Sequence, residues 1–226
     1  MNNKKLLFTT LFIVVGVIVV GVLAYQFLTV REVRVVAPVG VITDLGSAGA
    51  RKFVFLVQKN DVIGEIAQRN PLAENIDVTI IFPSTFEIKA SKRQPVVAIK
   101  NADTYFLTDK DGYIVSQEKG PGDLPILTIA TADVTSEGLI TNSTILKAIA
   151  CIRIVSENGM EPRGATILTD ENEVKISTKG TELLIPLSID TTSLYSSLQL
   201  LTRQFRIEGN QPSSIDFRFN KPVVRF

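Results

Sequence analysis

The sequence predicts an α+β protein with one N-terminal transmembrane helix, a small β-α-α-β-β unit, and a mostly antiparallel β unit with two helices. Three observations lead to this prediction. An uncharged apolar run occupies residues 6–28, short runs of alternating apolar and polar residues dominate the remainder, and only a few stretches repeat with helical periodicity. The chain of 226 residues is long enough for one to two domains.

The apolar run at residues 6–28 is the first element. It exceeds the roughly 20 residues that a helix needs to cross a bilayer, which leaves residues 1–5 as a short tail. Lys4 and Lys5 precede the run, so we expect the tail in the cytoplasm and the rest outside the inner membrane. A cleaved signal peptide ending near Ala24 is the alternative, but the run is longer than the usual apolar core of a signal, and we favour a retained anchor.

Composition excludes several functions. The net charge of +1 argues against a duplex-binding protein. The absence of His removes every mechanism that uses an imidazole, and one Cys cannot form a disulfide within the chain. We therefore expect no nucleic-acid partner and no histidine-based catalytic or metal site.

Residues 29–95 are predicted to form the first folded unit. Alternation predicts a strand at residues 32–36 and a hairpin made by residues 76–80 and 86–90. Asn60 is predicted to cap a helix that ends near Pro71. An additional helix is expected within residues 42–51, where glycines make the helical pattern weak.

Residues 96–226 are predicted to form the second unit. Asn142 or Ser143, and Asp190 or Thr191, are predicted to cap its two helices. The predicted strands lie at residues 96–99, 104–108, 113–115, 165–169, 173–177, 182–187, 215–219 and 223–226.

No residue set predicts catalysis, a metal site or a cofactor. Asp109 and Asp111 resemble the start of a calcium loop, but no Glu occupies its twelfth position, so a hairpin turn is the better interpretation. Cys151 is expected to be a small, partly buried residue. The charged pairs at residues 51–52 and 92–93 are interpreted as solvated loops.

The ordered set of segments resembles the FtsQ/DivIB family of bacterial cell-division proteins. The segments that carry the resemblance are residues 53–57, 70–78, 82–88, 92–98, 107–112, 124–125 and 215–219. The resemblance implies a POTRA domain at residues 29–95 and a β domain at residues 96–226. The chain departs from the family pattern at the weak first helix and at the Ser-Lys-Arg-Gln-Pro segment that ends at residue 95.

What the resemblance implies is a division scaffold without enzymatic activity, located at the septum. Such a scaffold binds FtsB/DivIC-type and FtsL-type partners and helps to recruit and regulate septal peptidoglycan synthesis. The closing strands are expected to carry the partner contact, because a final strand leaves an edge with unpaired backbone groups. The partner-binding residues expected there are Arg218, Val223, Val224, Arg225 and Phe226.

Ile215, Phe217 and Phe219 are expected to face the core instead.

The sequence leaves two other functions open. One is a scaffold of another envelope assembly, such as a secretion or pilus machine. The other is an anchored Ser/Lys hydrolase, although the sequence lacks a Ser-x-x-Lys motif and offers only Thr144 with Lys147.

Overall fold

A computed structural model describes residues 2–49, 58–82, 84–129 and 138–226 of the chain. The chain divides into two compact units, Met1–Lys92 and Arg93–Phe226, where the sequence suggested a boundary after residue 95. The α+β class holds, since helices and mixed sheets are both present. Residues 53–57, one of the segments that carry the family resemblance, and the charged pair at residues 51–52 lie outside the described residues.

The transmembrane helix predicted at residues 6–28 is contradicted. Helix α1 spans Asn2–Leu28, and its described side chains are those of residues 11–23 and of Tyr25. Within the described part of the chain, no helix combines the length and the apolar character needed to cross a membrane.

In its described residues, the first unit contains α1, a three-stranded sheet, a 3₁₀ helix and one further α-helix. Its elements are β1 (Glu32–Val36), a 3₁₀ helix (Gly46–Gly49), α2 (Lys59–Arg69), β2 (Ala73–Ile81) and β3 (Thr85–Lys92). The strand order is β1-β3-β2, with β1 parallel to β3 and β2 antiparallel to it. The predicted strand at residues 32–36 and the predicted hairpin are therefore confirmed.

Helix α2 begins two residues before the prediction. Its N-cap is Gln58, which makes no side-chain capping bond, so the prediction of Asn60 as the cap is wrong. The helix buries Val62 and Ile66 against the sheet residues Val78 and Ile88. Packing of these apolar side chains thus sets the position of the helix more than a cap does.

Asn70 explains why residues 42–45 are not helical. Its side chain is buried, and its Oδ1 accepts bonds from the backbone N–H groups of Thr43 at 2.7 Å and Asp44 at 3.1 Å. Its Nδ2 donates to the backbone oxygens of Asp44 at 2.7 Å and Ile66 at 2.8 Å. Because these bonds satisfy the segment in an irregular conformation, only the short 3₁₀ helix follows in the described part of the region where the sequence predicted a helix.

The second unit is built on one nine-stranded sheet. Its strands are β4 (Val97–Asn101), β5 (Thr104–Thr108), β6 (Ile114–Glu118), β7 (Ile126–Thr128), β8 (Pro162–Leu168), β9 (Glu173–Thr178), β10 (Glu182–Pro186), β11 (Ser214–Asp216) and β12 (Val223–Arg225). The strand order is β12-β11-β10-β9-β8-β7-β4-β5-β6. Antiparallel pairs outnumber parallel ones, but β4-β7, β7-β8 and β10-β11 are parallel, so the sheet is mixed.

Among the described residues, two helices complete this unit, as the sequence predicts. Helix α3 covers Ser143–Glu157, and Asn142 caps it by accepting bonds from the N–H groups of Thr144 and Ile145. Helix α4 covers Thr191–Glu208, and Asp190 caps it through the N–H group of Ser193. Both predicted caps are confirmed, because a short polar side chain before an apolar helical repeat satisfies otherwise unpaired N–H groups.

The core of the second unit lies between the helices and one face of the sheet. Alternate strand residues such as Ile99, Leu127, Ile176 and Leu183 are fully buried on that face. They share one cluster with buried residues of both helices. Because side chains alternate between the two faces of a strand, the polar residues that lie between these apolar ones are on the opposite face of the sheet.

Candidate functional site

The candidate site is the end of the nine-stranded sheet formed by β12. This strand pairs antiparallel with β11, with Ile215 opposite Val224. It is the terminal strand of the sheet, and no described strand pairs with its outer edge. The backbone groups of that edge can therefore bond to an added strand.

The apolar side chains of the closing segment divide between core and surface. Val224 packs partly against the core, whereas Val223 and Phe226 are 41% and 69% exposed. The Phe226 ring meets the edge of Phe205 on α4, with ring centroids 6.1 Å apart. Phe226 is thus held in place while most of its surface stays open to a partner.

The side chain of Arg218 is already engaged within the chain. Its Nε lies 3.0 Å from Oδ1 of Asp216, and its Nη2 lies 2.7 Å from Oδ2 of the same carboxylate. This pairing lowers the pKa of Asp216 from its usual value. Arg218 therefore serves first to close the turn between β11 and β12, and Arg225 is left as the exposed cation of the closing strand.

Glu173 is a second carboxylate near the Arg218 guanidinium. It is buried, and its Oε2 lies 3.8 Å from the Arg218 guanidinium without forming a hydrogen bond. Burial raises the pKa of Glu173, while the nearby Arg218 acts in the opposite direction. The Glu173 carboxylate therefore adds to the attraction that Asp216 exerts on the Arg218 side chain.

The prediction that Ile215, Phe217 and Phe219 face the core is only partly right. Ile215 and Phe217 are buried, as predicted. Phe219 is 58% exposed, so the prediction for this residue is wrong. Strand β11 ends at Asp216, and the turn that follows no longer keeps the alternation that would direct Phe219 into the core.

The sequence reasoning missed a buried ion pair near the start of the second unit. Arg93 Nη1 lies 2.5 Å from Oδ2 of Asp109, and their side chains are only 11% and 2% exposed. The Arg93 guanidinium also stacks 3.7 Å from the centroid of the Tyr113 ring. The interpretation of residue 93 as part of a solvated loop is therefore wrong, since its partners lie 16 and 20 positions further along the chain.

Asp109 organises the hairpin turn that the sequence predicted. Its Oδ1 accepts bonds from the N–H groups of Asp111 at 3.0 Å and Tyr113 at 2.7 Å. Gly112 has a φ of +90°, and a Cβ there would lie 2.5 Å from Leu146. With both Asp109 oxygens engaged inside the protein, the turn is structural, and no metal-binding group is found among the described residues.

Cys151 is buried in the core, and burial raises the pKa of its thiol to about 12. Because the thiolate is the reactive form, we expect the native protein to react with a disulfide reagent at pH 8 at least about 100-fold more slowly than the urea-unfolded chain. The release of thionitrobenzoate measures both rates. Equal rates in the two states would contradict the buried position.

Comparison with protein-family models gives no match for this chain, and comparison with curated proteins gives no significant match.

Proposed function

We propose that the protein is a scaffold of the bacterial division machinery of the FtsQ/DivIB type. In this proposal it acts without catalysis at the septum, outside the cytoplasm. It binds FtsB/DivIC-type and FtsL-type partners and thereby helps to recruit and regulate septal peptidoglycan synthesis. The observation that carries the proposal is the outer edge of β12, which no described strand covers, beside the exposed Phe226.

The geometry supports binding by strand addition. A strand of the partner would pair with the backbone of β12, and its side chains would meet Val223 and Phe226. Strand β12 has only three residues, so it offers few backbone bonds. Side-chain contacts must therefore supply much of the affinity, and a large exposed aromatic ring beside the edge suits that requirement.

Charge contributes to the choice of partner in the same proposal. Arg225 is exposed in the closing strand and contributes to the lowered pKa of Asp216, whereas Arg218 forms a direct ion pair with that carboxylate. An acidic residue in the partner strand would therefore meet Arg225 first. Such a contact at the rim of an interface changes the association rate and the specificity more than the affinity.

The first test is the position of the protein in dividing cells of the source. A fluorescent protein is fused before residue 1, so that residues 223–226 stay free. We expect a band at midcell during constriction, because a division scaffold must reach the septum. A signal that stays uniform through division would contradict the proposal and would favour another envelope assembly.

A further inference from the structure

A polar surface separate from the β12 edge lies on the face of the nine-stranded sheet opposite the two helices. A groove of about 540 Å³ crosses β4, β5, β7, β8, β9 and β10 on this face. We propose that it binds an extended polypeptide segment with spaced acidic side chains. This inference rests on the charges of the groove and not on the proposed division function.

One row of side chains forms the floor of the groove. Strand register places Lys100, Thr128, Thr166 and Lys175 side by side on four neighbouring strands. Strands lie about 4.8 Å apart, so the Cα atoms of the two lysines are separated by about 14 Å. The two hydroxyl groups and the Lys100 ammonium group can donate hydrogen bonds to an anionic ligand along this row, while the Lys175 ammonium group is shared with Glu182.

A third cation reaches the groove through a β-bulge. The register of β8 against β9 shifts between Pro162 and Gly164, so Arg163 is the extra residue. Bulges redirect a side chain, and Arg163 lines the same groove. Arg163 and Lys100 are exposed and form no ion pair with another described residue, which leaves their charges available to a ligand.

The remaining lining selects a peptide over a continuous polyanion. Glu182 lies in the groove and pairs with Lys175 at 2.9 Å. Because Lys175 and Glu182 offset each other's charge, Lys100 and Arg163 are the two cations left for a ligand, and a few spaced carboxylates match them better than a dense row of phosphates. The half-buried side chains of Tyr105 and Ile126 add apolar surface, which a peptide with residues between its carboxylates can cover.

The test measures binding of a fluorescein-labelled peptide by anisotropy. The peptide carries Glu residues separated by Ser-Val pairs, and a matched peptide carries Gln in place of Glu. The full chain is compared with the double variant Lys100→Glu/Arg163→Glu. The control is Lys147→Glu/Arg203→Glu, which makes the same change in net charge at exposed positions of α3 and α4.

We expect the Glu peptide to bind and the Gln peptide to bind more weakly. Lys100→Glu/Arg163→Glu should raise the Kd for the Glu peptide by roughly tenfold, while the control variant and Phe226→Asp leave it nearly unchanged. An unchanged Kd for Phe226→Asp would show that the peptide binds in the groove and not at the β12 edge. Loss of midcell position would thus not affect this inference.

Three results would overturn it. The two peptides could bind with equal affinity, which would show that the carboxylates are not recognised. The control variant could weaken binding as much as Lys100→Glu/Arg163→Glu, which would reduce the effect to overall charge. Inorganic polyphosphate could bind in a manner that depends on Lys100 and Arg163 while the Glu peptide does not, which would make the groove a polyanion site.

Discussion

Replacing Arg93 with Ala is expected to lower the free energy of unfolding of the Arg93–Phe226 unit by about 3–5 kcal/mol. The reason is the burial of its partner, since the Asp109 side chain is only 2% exposed. Removing the guanidinium leaves a buried carboxylate without its counter-charge and removes the stacking contact with Tyr113. The loss of unfolding free energy is measured by urea titration, with hydrogen exchange in peptides from residues 97–118 as the readout.

Two variants test the assignment of this effect. Arg93→Lys keeps the charge but not the planar group, so it should recover only part of the stability. Arg153→Ala removes an exposed pair with Glu157 on α3 and should cost less than about 1 kcal/mol. Equal losses for Arg93→Ala and Arg153→Ala would show that the buried pair does not stabilise the unit.

Replacing Phe226 with Asp is expected to weaken binding of an FtsB/DivIC-type partner from the source cell by roughly 30-fold or more. Aromatic residues at the centre of an interface typically contribute at least about 2 kcal/mol, and a charge at this position would also be desolvated. Phe226 is 69% exposed, so the fold of the unbound protein should persist. Surface plasmon resonance with purified partner measures the affinity, and circular dichroism checks the fold.

Phe82 provides a matched control for this experiment. It is also 69% exposed but belongs to the Met1–Lys92 unit. Phe82→Asp should leave the affinity unchanged. If Phe226→Asp binds the partner as tightly as the unchanged protein, then the β12 edge is not the partner-binding site.

Local patterns in the sequence identified most elements of the second unit. Asn142 and Asp190 each precede an apolar helical repeat, and the structure uses both as caps. The alternation at residues 104–108 and the turn at Asp109 likewise appear as a hairpin. Such features depend on neighbours within a few positions, so the sequence alone contains their physical cause.

Features that depend on distant residues were not predicted. The helix expected at residues 42–51 is replaced, in its described part, by an irregular segment bonded to Asn70, whose side chain lies 26 and 27 positions away from its partners. The transmembrane helix at residues 6–28 was predicted from hydropathy alone and is contradicted. The long-range bonds of Asn70 are not visible in a local sequence pattern, because they join segments that are far apart in the chain.

For the candidate site, the sequence by itself placed residues 223–226 in a closing strand, because apolar residues follow a turn at the end of the chain. Only the tertiary structure decided that this strand is the outermost of nine, that Arg218 is paired with Asp216, and that Phe219 is exposed. Strand order and side-chain pairing arise from contacts between segments far apart in the chain. A local pattern specifies which residues form a strand, but it does not specify which strand lies beside it.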